Sequence, residues 1–355
     1  MTSEHSVPPG RAGRRPTMVD VARLAGVSLK TVSRVVNGEP HVQRAMADRV
    51  LAAVAELGFQ RNHMASALRA GRASATIGLI IEELANPFYS TIAHVTAAMA
   101  RDRDTLLLSA SSEEDPVREE QLLRDLCSRR VDGLLVVPAG CDHSFLNAQV
   151  DMGIPVVFLD RPGTNIEADA VLLDNRGGAR NGVRRLVADG HRRIGVLLDS
   201  VDVHTMRERL AGAQDALADA GIGYDGALVR GGVRDPATAA AAVADMLTQP
   251  NPPTAFLALN NRITVGAVQE LWQRGSDAAL VGFDDFELSH LMPRPLTVIG
   301  YDTRELARRA AQLLFARIDG DRSRPRTVVL PTELVERGLT AGSTRRGPAA
   351  SGVRR

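Results

Sequence analysis

Residues 17–42 read TMVDVARLAGVSLKTVSRVVNGEPHV, and their spacing decides how the N-terminal part of the chain folds. Val19, Val21, Ala22 and Leu24 are read as the apolar face of a short helix. Ala25-Gly26-Val27 is a tight turn, because Gly26 can take the positive φ that a sharp reversal between helices needs. Ser28 suits the N-cap of a second helix running to about Val35, since its hydroxyl can accept an otherwise unsatisfied backbone N–H. On that helix Val32 and Val35 face inward, Lys30, Thr31, Ser33 and Arg34 face outward, and Asn37-Gly38 ends it. A third helix is expected over 44–57, with Val50, Leu51, Val54 and Leu57 inward and Gly58 as its stop. Two short helices around a glycine turn, buttressed by a third, form a helix-turn-helix whose second helix fits the DNA major groove. Arg and Lys donate to guanine O6 and N7, and Ser and Thr bond bases or phosphates.

Charge points the same way. The 355 residues carry a net charge of +1, with 44% hydrophobic and 24% charged residues, as in an ordinary globular protein. Residues 1–72 hold eleven Lys/Arg against five Asp/Glu, whereas the remainder holds 32 basic and 37 acidic residues. A basic head on an acidic body implies that only the head meets a polyanion. Lys30 is the only lysine. Cys127 and Cys141 form no CxxC pair and are too few for a disulfide framework or a zinc cluster, so free thiols are expected. No apolar run reaches the roughly 18 residues of a membrane span, and residues 1–16 lack the apolar core of an export signal. A disordered basic arm, and a cytoplasmic protein associated with the nucleoid, are expected.

From Thr76 onward, continuous apolar runs alternate with amphipathic stretches. The runs are TIGLII (76–81), TLLLSA (105–110), GLLVVPA (133–139), PVVFLD (155–160), AVLLD (170–174), RIGVLLDS (193–200), AFLALN (255–260) and AALVGFDD (278–285). Such strands, separated by helices, imply parallel sheets covered on both faces. The region is too long for one sheet of modest size, so two similar subdomains are expected. Ligands bind such sheets at the carboxyl ends of the strands. Asp160, Asp174, Asp199, Asn260 and Asp284 end these runs, and their acceptors suit a hydroxyl-rich ligand. For Asp174 and Asp199, a helix cap or loop carboxylate is the preferred reading.

At this point VDVARLAGVSLKTVSRVVNG, VLAAVAELGF and Asn62, Ala65 and Leu68 resemble the headpiece of the lactose-repressor (LacI) family. NPFYSTI, RRVDGLLVVPA, IPVVFLDRP, GHRRIG, RERLAGA, NNRITVGAVQEL, VGFDD and PLTVI resemble further blocks of that family, in family order. The resemblance implies a small all-α helix-turn-helix headpiece plus an α/β periplasmic-binding-protein-like body of two Rossmann-like subdomains. The implied divisions are an arm (1–16), a DNA-binding domain (17–61), a hinge helix or linker (62–73), an effector-binding and dimerisation domain (74–340) and a disordered tail (341–355). Within the body, one subdomain would take 74–172 plus 303–330 and the other 173–300 plus 331–340.

By the same resemblance, Thr17, Ser28, Thr31 and Asn62 would bond phosphates, and Leu29 and Lys30 would read bases with Arg34 beside them. Ser33 and Asn37 join this DNA-binding set, as does Ala65, small enough for close backbone approach. Leu68 would wedge into the minor groove of a pseudopalindromic operator, kinking the duplex. The implied effector residues are Phe88, Tyr89, Asp160, Arg209, Asn260 and Asp284, with a carbohydrate as the leading ligand and a nucleobase or other polar metabolite as the alternative.

This chain departs from the family pattern in several places. Gln43 stands where a capping Ser is usual, Asn261 where Asp is usual, and Gly300-Tyr301-Asp302 where Gln-Pro follows PLTVI. No aromatic stacker lies near Arg234, and Trp272 is read as core. Residues 221–226 match GxGxxG, but they follow a helix and precede a strand, the reverse of a dinucleotide site. His63, His191, His204 and His290 are scattered. The expectation is therefore a homodimeric, effector-controlled DNA-binding regulator, a repressor, with no catalytic role, metal or cofactor. A solute-binding protein without regulatory role is the rival reading.

Overall fold

The computed structural model describes residues 16–36, 39, 42–59, 75–287, 289–291 and 296–337. Asn37, Asn62, Ala65 and Leu68, the proposed hinge, most of the N-terminal arm and the tail lie outside these residues. The chain divides into two compact units, residues 1–74 and 75–355.

The first unit holds helices α1 (Met18–Ala25), α2 (Leu29–Val36) and α3 (Arg44–Leu57). Thr17 and Asp20 form a capping box that starts α1, and Gly26 closes it at φ 62°. The Ser28 hydroxyl accepts the Thr31 N–H (3.1 Å) and so starts α2. Gly58, at φ 59°, ends α3, while Gln43 supplies no side-chain cap at its start. Val21, Ala25, Val32, Val50 and Ala53 form the core. Val19, Leu24 and Leu51 were expected inside but are exposed. On α1 the inward stripe is Met18, Val21, Ala22 and Ala25, at spacings of three and four, and Val19 and Leu24 fall off it.

The second unit is α/β. Its elements, in chain order, are β1 (Thr76–Ile81), α4 (Pro87–Arg101), β2 (Leu106–Ser111), α5 (Pro116–Ser128), β3 (Gly133–Val136), α6 (Leu146–Asp151), β4 (Val156–Leu159) and β5 (Asp169–Leu173). There follow α7 (Asn175–Ala188), β6 (Ile194–Leu197), α8 (His204–Asp219), β7 (Val229–Arg230), α9 (Pro236–Leu247), β8 (Ala255–Ala258), α10 (Asn261–Gln273) and β9 (Ala279–Phe283). Last come β10 (Thr297–Gly300), α11 (Thr303–Ile318), β11 (Thr327–Leu330) and β12 (Glu333–Glu336).

Two six-stranded sheets result, ordered β11-β5-β4-β3-β1-β2 and β12-β10-β9-β8-β6-β7. Every recorded pairing is parallel except β10 with β12. The chain passes between sheets three times: after β5, after β10 and after β11. Accordingly α7 packs its Ala179, Val183 and Leu186 in the core of the second sheet, and α11 packs its Leu306, Ala310 and Leu314 in that of the first. β1, β3, β4, β6 and β8 lie in the interior of their sheets and are buried along their whole length. That is why they read as unbroken apolar runs. Among the described residues, no helix is long and apolar enough to cross a membrane.

Trp272, expected in the core, is 49% exposed. α10 buries Ile263, Thr264, Ala267 and Leu271, and Trp272 shares the outer face with exposed Val265, seven residues away. Asp174 caps α7 by accepting the Gly177 N–H (2.8 Å), and Asp199 is a loop carboxylate paired with Arg234 (3.2 Å).

Helices α7 and α8 meet at backbone distance through Gly212, where an added Cβ would lie 2.0 Å from the Arg176 carbonyl oxygen. Backbone cannot yield there as a side-chain tip can, so Gly212→Ala should destabilise the protein by about 1–3 kcal/mol. Thermal or denaturant unfolding checks this; an unchanged midpoint would show that the helices separate freely.

Candidate nucleic-acid interface and effector cleft

In the first unit, Ser28, Leu29, Lys30 and Arg34 are exposed, and Thr17, Thr31 and Ser33 are partly buried. The Thr17 hydroxyl donates to Asp20 (2.6 Å), and the Ser28 and Thr31 hydroxyls lie 2.9 Å apart. Arg34 lies 3.7 Å from Glu39, both about half exposed, a contact too weak to hold the guanidinium against a competing phosphate or base. An apolar residue, a primary amine and a guanidinium thus leave the same short helix toward solvent.

In the second unit, two clusters form at the carboxyl ends of the strands. Arg161, following β4, is 6% exposed. Its Nη1 donates to the Pro138 carbonyl (2.8 Å) and lies 2.6 Å from Glu114 Oε1, and its Nη2 donates to Glu82 Oε2 (3.2 Å). Asp160 Oδ2 lies 3.7 Å from Arg161 Nε. Tyr89, on α4, donates to Glu82 Oε2 (2.5 Å). Burial, and then the Glu82 carboxylate, hold the Tyr89 phenol well above its usual range, so it remains a neutral donor. Burial also raises Asp160. Burial and the neighbouring Glu82 carboxylate push Glu114 up to about 8, against the lowering pull of Arg161.

The second cluster centres on Arg209, on α8. Its Nε donates to Asn175 (2.8 Å), its Nη1 donates to the Leu259 carbonyl (2.6 Å), and its Nη2 lies 3.3 Å from Asp284 Oδ1. Its guanidinium carbon lies 3.6 Å from the centre of the Phe283 ring. Asp284 also accepts from Tyr301 (2.7 Å) and from the Asn261 backbone N–H (3.3 Å). Asn260 spends its side-chain oxygen as the N-cap of α10, accepting the Ile263 N–H (2.8 Å). Arg209 and Asp284 therefore brace one another at the carboxyl ends of the strands.

Contacts join the two halves. Asn261 Nδ2 donates to Asn86 Oδ1 (3.1 Å), and Arg262 pairs with Glu83 (2.7 Å). Phe88 stands edge-on to Tyr89 and to Tyr301, with ring centres 4.9 and 5.9 Å apart. Tyr301, in the crossing between β10 and α11, packs against the cores of both sheets. Asn261 suits its place, because a carboxylate there would face the Asn86 oxygen and Asp284. A cavity of about 530 Å³ lies beside Glu82, Glu83, Ser111, Glu113, Glu114 and Arg262. Asp160 and Asp284 occupy equivalent strand ends, after β4 and β9, and both hold positive φ, 65° and 70°. Such strain in non-glycine residues clusters at binding sites.

Arg161, Glu82 and Glu114 were not singled out from the sequence. Arg161 stands in the quoted block FLDRP, Glu82 directly follows β1, and Glu113-Glu114 follow β2 after Ser112. The strand-end rule that selected Asp160 would have selected them too.

A further buried group lies apart from the cleft contacts just described: Glu119, Cys141 and His143, whose candidate ligand atoms fall within 4.8 Å of one another. His143 Nδ1 accepts the Thr164 N–H (3.0 Å), so the ring proton sits on Nε2 and points at Glu119 Oε1 (3.0 Å). Glu119 Oε2 accepts from the backbone of Ala139 (2.8 Å) and Cys141 (3.3 Å). Burial works to raise the Glu119 carboxyl, but these hydrogen bonds outweigh it and lower it. A cation would need the Nε2 lone pair that the proton occupies, so the group reads as a pin for the loop after β3.

An exposed helix-turn-helix surface in one unit, together with a two-sheet unit with clustered polar side chains at its strand ends, defines a DNA-binding regulator with a ligand-sensing domain. Residues 17–62 match the model for bacterial regulatory proteins of the lacI family, and residues 74–338 match that for periplasmic binding proteins and the sugar-binding domain of the LacI family. The ribose operon repressor of Haemophilus influenzae is 32% identical over 90% of this chain and 97% of its own. The regulator CelR of Thermobifida fusca is 33% identical over 91% and 98%. Among solved structures, the lac repressor dimer bound to operator and the anti-inducer ONPF matches with TM-score 0.77 at 28% identity, covering 91% of this chain and 99% of that one. A CelR–cellobiose complex matches with TM-score 0.67 at 31% identity over the same shares. The chain belongs to the lacI family and is a DNA-binding transcriptional regulator; its relatives are regulators, not enzymes.

Because Glu114 is raised in the folded protein, its protonated form is the one folding favours. Its contribution is full in acid, below the ordinary carboxylate value, and is lost as pH rises toward and through about 8. The stability difference between the native protein and Glu114→Gln should therefore change steadily between pH 5 and pH 9, with the native protein losing ground. Parallel denaturation curves for the two would show that Glu114 ionises normally.

Proposed function

We propose that this regulator is a homodimeric repressor whose grip on a pseudopalindromic operator is set by a small polar effector, of the carbohydrate class, held between the two halves of its body. The observation that carries this reading is the convergence of Asp160 and Arg161 from one sheet with Arg209 and Asp284 from the other. Side chains of both signs, brought within electrostatic reach of one another from the strand ends of both sheets, suit a ligand rich in hydroxyls. The relatives add support, since CelR was solved with cellobiose and the ribose operon repressor is named for a sugar operon.

Operator recognition falls to Leu29, Lys30 and Arg34, with Thr17, Ser28, Thr31 and Ser33 placing the backbone. Asn37, Asn62, Ala65 and a Leu68 minor-groove wedge complete the set. The exposed apolar face of Val265 and Trp272 is consistent with a subunit contact. The work is done where the chromosome is, in the cytoplasm. Ligand acts by its differential affinity for two arrangements of the halves, relayed through the three crossings and Tyr301.

Selection of operator sequences from a random duplex pool, followed by gel-shift titration with and without sugars, tests the reading. A specific, effector-sensitive site is expected. Absence of any sequence preference would sink the proposal. Arg34→Ala should weaken specific binding by about ten- to hundredfold. Leu68→Ala should weaken specific binding far more than non-specific binding; equal losses would remove the wedge.

A further inference from the structure

Glu119, on α5, and His143, in the loop after β3, are fully buried, and one peptide links them to the cleft. Glu119 Oε2 accepts the Ala139 N–H at 2.8 Å, and the Cys141 N–H at 3.3 Å. The carbonyl of the Pro138–Ala139 peptide accepts from Arg161 Nη1 at 2.8 Å. A peptide group is planar, so fixing the direction of its N–H also fixes that of its C=O. A buried carboxylate and a buried guanidinium therefore hold opposite ends of one peptide, and each polarises it in the sense that strengthens the other bond. His143 sets Glu119 in turn, since its Nε2 donates to Glu119 Oε1 at 3.0 Å. Its Nδ1 accepts the Thr164 N–H, and its own backbone N–H donates to the Thr164 carbonyl, both at 3.0 Å. The ring stands edge-on to that of Phe158, two residues before Asp160, with ring centres 4.9 Å apart. The loops after β3 and β4 are thus clasped together just beyond Asp160 and Arg161.

We propose, resting on the effector reading above, that Glu119 and His143 are positioning residues of the effector cleft: through the Pro138–Ala139 peptide they set where Arg161 stands to meet the ligand. Apolar contacts would suffice to close the loop, and Cys141, Leu146 and Phe158 already share one core there. A buried carboxylate costs free energy unless its bonds are well used, and Glu119 directs an oxygen at the one peptide that serves Arg161. Arg161 Nη1 also lies against Glu114, its Nη2 bonds Glu82, and its Nε has no hydrogen-bond partner. Without the Pro138 carbonyl, Nη1 would answer to Glu114 alone, and the guanidinium would be drawn toward the carboxylates.

The first arm of the test needs no ligand. Denaturant unfolding of the full-length protein is compared for the native chain, Glu119→Gln, Arg161→Lys and the double variant. A glutamine has one oxygen to offer where Glu119 uses two, so it cannot serve both the backbone and His143. If the peptide couples the two sites, the double variant should keep a folded-to-unfolded ratio at least about threefold above that expected from multiplying the two single losses. A smaller departure overturns the inference, because a pin that only held its loop would be indifferent to Arg161. Should Glu119→Gln fail to fold, His143→Asn takes its place in the cycle. In the second arm, cellobiose, ribose, glucose and galactose are titrated against the native protein, His143→Gln and His143→Asn. The glutamine amide still offers Glu119 a donor near the place of Nε2, whereas the asparagine replaces only the Nδ1 acceptor. Affinity for a sugar that binds the native protein should fall about tenfold or more in His143→Asn and far less in His143→Gln, although both lose the ring. Equal weakening in the two variants overturns the route through Glu119 and leaves the effector reading standing. Silence from every sugar on the native protein counts against the effector reading, and the unfolding cycle then decides the link to Arg161 by itself.

Discussion

A guanidinium does not shed its charge inside a protein, and that constraint organises both halves of the body. Burying Arg161 obliges the chain to place carboxylates and a carbonyl around it, which explains Glu82, Glu114, Asp160 and the Pro138 oxygen. Burying Arg209 makes the same demand of Asn175, Leu259 and Asp284. The two solutions differ in balance. Around Arg209 each donor nitrogen has a partner within the same half. Around Arg161 the acids outnumber the base, and both the Asp160 Oδ1 and the Arg161 Nε atoms are left without hydrogen bonds. The cluster of the second sheet is therefore fully partnered around its guanidinium, and that of the first sheet is not.

The halves are otherwise close counterparts. Their strand orders correspond one to one, and Asp160 and Asp284 follow corresponding strands with the same left-handed backbone. Three crossings tie them together, and a ring stands in one of them. Tyr301 bonds Asp284, packs edge-on to Phe88 and touches both cores, so a shift of either half changes its surroundings. The Asn261–Asn86 and Arg262–Glu83 contacts add links between the same two halves.

Much of the fold was legible because its physics is local. Gly26, Ser28 and Gly58 mark helix ends through backbone geometry and capping, which neighbouring residues alone determine. All eight apolar runs became strands, since doubly covered parallel strands need no alternation. The strands that escaped notice as runs, β7, β10, β11 and β12, are two to four residues long, and β11 and β12 are only half-buried edges. Misreadings came where hydrophobic identity stood in for position: Val19, Leu24, Leu51 and Trp272 lie on the wet side of helices whose inward stripe is set by the period. At the candidate site, motif residues were visible singly. Their partners were not, because Glu82, Glu114 and Glu119 earn their meaning only from side chains up to 79 positions away.

The lone lysine of this chain has a practical corollary. Lys30 is exposed on the helix that would enter the groove, and it is the single ε-amine in 355 residues. Any amine-directed acyl transfer, chemical or enzymatic, that consumes a side chain must consume this one. It would neutralise a charge on the recognition surface and leave the body untouched. The same uniqueness would make the molecule its own footprinting reagent: were Lys30 covered by a bound duplex, the rate at which that one amine is labelled would report whether the headpiece is seated.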